Sequence, residues 1–327
     1  MLPIAVDAMG GDHAPDEIIK GARTAAAELG VPILLVGRPD ELTDVGDLEV
    51  LEASQVIAMD AEPGSSVRTM KDSSLVRAAE AVRDGRASAM VSAGNTGAAM
   101  GSALLRMGRI KGIARPAIAT PIPTPGGLPT TMLDAGANSE CKTEWLVQFA
   151  RMGTVYARDR FGIERPRVGL LSIGEEAGKG NSFVKEVFGL LDDAGWAESV
   201  NAHWIGNIEG RDIMTDEVDV VVTDGFTGNV TLKTLEGAMR ALVGRLLVAI
   251  DTDDETRAAG EALGPALDEM VAELHPDTIG GALLLGVKGV CVISHGSSGE
   301  SAMVNAIRVA AEMVKAEMVA HIEQTAV

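Results

Sequence analysis

Cysteine is scarce in this 327-residue chain: Cys141 and Cys291 are the two it holds. They make neither a disulfide framework nor a metal-ligand spacing, so a reducing compartment is expected. No apolar run approaches the ~20 residues needed to span a bilayer. The opening MLPIAVDAMGGDHAP has neither the basic start nor the unbroken apolar core of a secretory leader, so a cytoplasmic location is expected. Positive charge is also in short supply. A formal net charge of -19 argues against nucleic acid as a partner, because phosphate backbones are held by basic patches. A bound anion would depend on backbone amides and a few selected cations. No Pro/Ser-rich linker, block of like charge or fixed-period repeat divides the chain. With 46% hydrophobic residues it can bury a large core, and one continuous unit over residues 1–327 is expected.

What recurs instead is glycine where strand-like runs stop. Seven such joints carry glycine with a small polar or acidic residue: DAMGGD from Asp7, SAGNTG from Ser92, DAGAN from Asp134, SIGEEAGKGN from Ser172, GNIEG from Gly206, TDGFTGN from Thr223 and SHGSSG from Ser294. Strands are predicted at 3–8, 33–36, 87–92, 117–120, 130–134, 168–173, 203–205, 218–223 and 290–294, most of them apolar on both faces as buried parallel strands are. Helices are predicted at 16–29, 75–84, 143–156, 181–194, 232–250 and 301–324. Alternating strands and helices make the fold class α/β, a mostly parallel sheet covered on both faces. In such sheets ligands sit beyond the carboxyl ends of the strands, so the seven joints suggest one shared anion-binding crevice.

The joints differ in chemical content. In TDGFTGN, Asp224 to Asn229 turn a buried strand into a helix, and Asn229 and Lys233 fall one helical turn apart, an amide and an ammonium on one face. Asp224 and Thr227 alternatively serve only as caps. SIGEEAGKGN sets Lys179 between glycines, but its spacing is not GxxxxGK[ST], so a nucleoside triphosphate is not implied. Ser92, Asn95 and Thr96 of SAGNTG either donate to an anion or form an Asx-turn and cap. Asp7, Asp12, Asp134, Glu175, Glu176 and Asp224 lie at joints, where carboxylates more often fasten turns than hold Mg²⁺. His13 and His295 are the general-acid candidates. Cys141 has no local histidine partner, which favours an inert buried thiol. Arg106, Arg109, Lys111 and Arg115 form a basic run without an acid, either a solvated helix end or a docking patch for an acidic partner.

The wording and order of DAMGGDHAP, VSAGNTGA, LDAGAN, GNIEGRD, VVVTDGFTGNVTLKT and SHGSS, spread from Asp7 to Ser298, closely resemble the bacterial phosphate acyltransferases of phospholipid synthesis. The resemblance spans essentially the whole chain. It implies a three-layer α/β/α sandwich similar to isopropylmalate dehydrogenase-like folds, usually a homodimer. It also implies a reaction in which inorganic phosphate attacks the thioester of long-chain acyl-acyl carrier protein, giving acyl phosphate for a membrane glycerol-3-phosphate acyltransferase. No cofactor or metal is implied. On this reading Lys179, Asn229 and Lys233 stabilise phosphate or the oxyanion, and His295 protonates the leaving thiolate. Ser92, Asn95, Thr96, Gly97, Gly225, Thr227 and Gly228 complete the cradle. Arg106, Arg109, Lys111 and Arg115 become a docking patch for the acidic carrier protein. Leu232, Leu235, Met239, Leu242, Leu246 and Ile250 follow helical spacing. They suggest a projecting helical pair around 232–275, used for packing or for contact with the inner face of the cell membrane, although its acidic tip, Asp251 to Glu255, does not suit an anionic bilayer. A nicotinamide-dependent decarboxylating dehydrogenase could share the fold, but it needs an arginine set for a dicarboxylate and a metal-carboxylate group, and neither is found. A non-catalytic scaffold for carrier protein is the other alternative.

Overall fold

Short apolar runs closed by glycine become strands, and the amphipathic stretches between them become helices. The computed structural model describes residues 1–193, 195–274 and 280–326. Its first half holds β1 (Ile4–Asp7), α1 (Asp16–Leu29), β2 (Ile33–Gly37), β3 (Glu49–Glu52), α2 (Pro63–Thr69), α3 (Ser74–Arg83), β4 (Ala89–Ser92), α4 (Thr96–Ser102), β5 (Ala117–Ile122), β6 (Thr130–Leu133) and α5 (Thr143–Phe161). The second half holds β7 (Arg167–Leu171), α6 (Ser182–Leu191), α7 (Gly195–Ser199), β8 (His203–Ile208), β9 (Val220–Val222), α8 (Gly225–Ile250), α9 (Asp254–Leu274), β10 (Ala282–Leu285), β11 (Val290–Ile293), α10 (Glu300–Lys315) and α11 (Met318–Thr325).

Among the described residues the strands form one eleven-stranded sheet in the order β3-β2-β1-β4-β11-β10-β5-β6-β9-β7-β8. Side chains alternate between two cores. Ile4 and Val6 pack with Ile18 of α1, Phe149 of α5 and Ile307 of α10 on one face. Ala5 and Leu34 pack with Val76 of α3 and Ala98 of α4 on the other. Helices therefore cover both faces, as the three-layer α/β/α expectation required.

The sheet is mostly parallel, as expected, but its parallel strands fall into two sets of opposite direction. β1, β2, β3, β4 and β11 run parallel. β10 is antiparallel to both β11 and β5, and β5 is antiparallel to β6. From β6 onward β9, β7 and β8 are parallel again, but reversed relative to the first set. β5 is the splice: Ala117 to Ala119 pair with β10, and Thr120 to Ile122 pair with β6. Pro121, which has no N–H to give, stands where β5 has left β10, so it interrupts no ladder there. Along the ladder, the carboxyl ends of the first set thus lie at one edge and those of the second set at the opposite edge. The seven joints do not form one cradle.

Other boundaries also moved. β3 and β10 were not expected, and α8 begins at Gly225 rather than Leu232 because the Asp224 side chain caps it, accepting from the Thr227 amide. The helix expected over 301–324 is two, broken where Glu317 takes a left-handed conformation (φ 54°). The predicted ends Ala194 and His275 lie outside the described residues, as does Val327. Leu232 and Leu235 pack on the core. Further along, α8 and α9 bury little, and Leu242 is 72% exposed. No described helix is long and apolar enough to cross a membrane.

Candidate active site

The ends of β1, β4 and β11 make the first group. Asp7 is buried and accepts from the Ser92 hydroxyl (2.7 Å) and the Met9 amide (3.3 Å). Burial pushes its carboxyl up, opposed by the hydrogen bonds of Ser74 and Ser92. Gly10 lies against Gly94, and the Asp12 amide donates to the Gly296 carbonyl. Several phosphate candidates in this group prove to be structural. The Ser92 hydroxyl has given its proton to Asp7 and accepts from Gly94 (3.0 Å), so it has none for an anion. Asn95 accepts from Ala98 as the cap of α4, while its amide donates to the carbonyls of Met59 (2.9 Å) and Ala61 (3.0 Å). It clamps a loop more than thirty residues away. Gly97 is packed on the Pro63 ring. Thr96 is exposed at the start of α4, and His295 is exposed, its Nδ1 2.9 Å from the Ser297 hydroxyl.

The ends of β6, β9, β7 and β8 make the second group, and here the chemistry concentrates. Asp134 is fully buried and accepts from five donors: the amides of Ile118 (3.0 Å), Gly136 (3.1 Å), Ala137 (2.9 Å) and Asn138 (2.8 Å), and the Asn138 side chain (2.8 Å). The Asn138 carbonyl accepts from Gly225 (2.9 Å) at the head of α8, and Gly228 sits so close to the Asp134 carbonyl that a Cβ would lie 1.9 Å from it. These contacts correct three more assignments. The Gly225 amide is spent on Asn138, the Gly228 amide on the Asp224 carbonyl, and both Thr227 donors on the Asp224 carboxylate. Gly225 and Gly228 fasten α8 to the β6 turn, and Thr227 closes the cap of the helix itself.

Asn229 and Lys233 then stand one turn apart on the exposed side of α8, in its second and third turns. Asn229 lies against Gly136, 3.5 Å from the position of a Cβ there. Lys233 pairs with Glu236 (2.8 Å). An exposed i,i+3 pair is worth only about 0.3–0.5 kcal/mol, so Glu236 holds Lys233 weakly. Lys179 stands on the loop after β7, half exposed, with Glu176 at 3.9 Å. Its loop leads to α6, capped by Asn181. Beneath it Asn207 donates to the Glu176 carbonyl (3.0 Å). Among the described residues no hydrogen bond or ion pair joins His295 to Lys179, Asn229 or Lys233, and the strand directions place His295 with the opposite group.

The basic run is likewise divided. Arg106 turns inward to the Val67 carbonyl (3.3 Å) and Glu80 (3.8 Å), because the segment 103–107 is helical and delivers it onto α3. Arg109 donates to the Ala114 carbonyl but stays exposed, Lys111 is exposed, and Arg115 lies over the Trp145 ring (5.2 Å). Cys141 is part-buried, donates to the Asn138 carbonyl, and burial pushes its thiol up to about 11. Among the described residues no three His, Cys, Asp or Glu side chains gather as a metal set. An open cavity of about 610 Å³ between α1 and the Val45–Leu48 loop contains none of the candidate residues. The residues the sequence reading undervalued are Asp134, Gly136 and Asn138. The D-A-G-A-N spacing is the available signal, since an aspartate followed by free amides at i+2 to i+4 is an Asx-type turn.

The fold is shared with several solved transacylases. A phosphotransacetylase from Streptococcus pyogenes superposes with a TM-score of 0.64 at 14% identity, covering 96% of this chain and 94% of that one. A branched-chain phosphotransacylase from Enterococcus faecalis V583 gives 0.60 at 15%, covering 96% and 99%. The class so defined is an α/β/α scaffold common to phosphotransacylases and, at a TM-score of 0.50 with 14% identity and coverage of 96% and 100%, to 4-hydroxythreonine-4-phosphate dehydrogenase from Klebsiella pneumoniae. Sequence is more specific. Residues 2–321 match the family described as "Fatty acid synthesis protein". The chain is 48% identical to "Phosphate acyltransferase" of Heliobacterium modesticaldum, over 99% of its length and 97% of the relative, and 47% identical to that of Elusimicrobium minutum, over 99% and 95%. The chain belongs to the phosphate acyltransferase family, transferases of lipid synthesis.

Proposed function

We propose that the protein moves a long-chain acyl group from the thioester of acyl carrier protein to inorganic phosphate, releasing acyl phosphate and free carrier thiol. The observation that carries this reading is that Asn229 and Lys233 share the exposed face of α8, which follows β9, while the loop bearing Lys179 follows β7, the parallel neighbour of β9. A phosphate oxygen adds to the thioester carbonyl carbon, and the carbonyl electron pair moves to oxygen. Collapse of that oxyanion breaks the C–S bond, and the thiolate takes a proton from water. Lys179, Lys233 and the Asn229 amide hold phosphate and offset the charge on the carbonyl oxygen, so positioning and electrostatics supply the acceleration. A thiolate is a good leaving group, and the exposed His295 is at most an accessory acid. Cys141, held as a neutral thiol by burial, is unsuited to form an acyl-enzyme, which supports direct attack by phosphate.

Arg109, Lys111 and Arg115 form the docking patch for the acidic carrier. The apolar residues exposed on α8 and α9, among them Leu242, Leu247 and Leu263, pack against a second copy in a homodimer. The product passes to a membrane glycerol-3-phosphate acyltransferase from a peripheral, cytoplasmic enzyme. Replacement of Lys179 or Asn229 by alanine tests the site: loss of one donor to a developing oxyanion costs about 10²–10³ in turnover, with melting unchanged because both side chains are exposed. Near-normal turnover removes that residue from the site.

A further inference from the structure

We infer that Asp134 is a positioning residue for Asn229, acting through the Gly136 turn and the head of α8 without touching substrate; the inference rests on the reading of Asn229 given above. A buried carboxylate without a paired cation is costly unless its lone pairs are filled. The five donors around Asp134 fill them and come from three places, the β5 strand, the turn itself and the Asn138 side chain. Two lines then run from this carboxylate to Asn229. In one, Asp134 Oδ2 fixes Asn138, whose carbonyl takes the amide of Gly225, and so sets the start of α8. In the other, Asp134 Oδ1 folds the turn that presents Gly136 to the Asn229 side chain. Gly136 has φ 140°, a conformation closed to other residues at ordinary cost, so this turn requires glycine there. The Asp134 carbonyl meanwhile rests on Gly228, the residue before Asn229. Asn229 is thus bounded by two contacts that originate in one residue, while its own side chain stays exposed on α8.

Two independent perturbations test this in the full-length protein. Asp134→Asn keeps the shape but turns an N–H₂ toward donors of the turn and Asn138. Gly136→Ala leaves the carboxylate and strains the turn. Turnover and phosphate KM are measured for both beside Asn229→Ala, at a temperature at which melting curves show all variants folded. The inference predicts that both variants reproduce whichever parameter Asn229→Ala changes, with a loss of ten-fold or more, while the KM for the acylated carrier stays within two-fold. Wild-type turnover and phosphate KM in Asp134→Asn overturn it. So does a loss that differs in kind from that of Asn229→Ala, or one that adds in full to it in the Asp134→Asn/Asn229→Ala double variant, because residues that act through one contact are not additive. If Asn229→Ala is itself near normal, the reading of Asn229 fails and the inference falls with it.

Discussion

Gly228→Ala is the sharpest test of how α8 is seated. A Cβ at this position falls 1.9 Å from the Asp134 carbonyl oxygen and 3.1 Å from the Thr223 methyl. Real Cβ contacts do not come under 3.0 Å, and the obstruction is backbone, so no rotamer change relieves it. Either the head of α8 or the β6 turn must move by about 1 Å, and overpacking of this kind costs about 1–3 kcal/mol. At about 2 °C per kcal/mol for a chain of this size, the midpoint should fall by about 2–6 °C. The effect on turnover should be larger, because a 1 Å displacement of a catalytic group can cost about 10²-fold, and Asn229 is the next residue. Gly237→Ala on the same helix is the control with the opposite sign. Nothing lies within 4 Å of a Cβ there, so alanine removes only the helix penalty of glycine, a gain of about 0.5–1 kcal/mol. Circular-dichroism melts with acyl-phosphate assays on both variants decide. Wild-type melting and turnover in Gly228→Ala, or destabilisation of Gly237→Ala equal to it, would refute the reasoning.

Three further outcomes are expected. Because burial raises the Cys141 thiol to about 11, the neutral form persists through pH 9 and alkylation should quicken only as pH approaches that value; rapid labelling at pH 7 would contradict this, and Cys141→Ser should keep full activity. Reversal of Arg109, Lys111 and Arg115 to glutamate should raise the KM for acylated carrier protein and flatten its salt dependence, whereas Arg106→Glu, beside Glu80, should instead lower the melting midpoint. His295→Ala should retain activity within about ten-fold, below the roughly 10²–10⁴-fold that general acids contribute; a larger loss would show that the two ends of the sheet act together.

The strand-helix joints were visible in the sequence because buried parallel strands are short apolar runs and their ends need glycine and caps. Their division into two groups was not. It depends on β10, four apolar residues with no alternation to mark them, and on the antiparallel turn from β5 to β6, which Pro125-Gly126-Gly127 marks but the expected mostly parallel sheet passed over. The roles of Ser92, Asn95 and Thr227 were ambiguous for a physical reason. The same hydroxyl or amide serves a cap or a ligand, and the partner decides. For Ser92 that partner is Asp7, and for Asn95 it is the Met59–Ala61 backbone, both remote in sequence. Arg106 was indistinguishable from Arg109 until the helical turn at 103–107 aimed it at Glu80. The exposure of Lys179, Asn229 and Lys233 was legible, because each stands on a loop or helix that leaves a glycine-rich strand end; their part in binding phosphate is the proposal made above.

The most direct measurement is the reaction itself. Purified protein mixed with palmitoyl-carrier protein and inorganic phosphate should release carrier thiol and, in equal amount, an acyl phosphate trapped by hydroxylamine, and neither should form when phosphate is omitted. Thiol release that does not depend on phosphate, or phosphate-dependent release without a trappable acyl phosphate, would contradict the assignment of phosphate as the nucleophile.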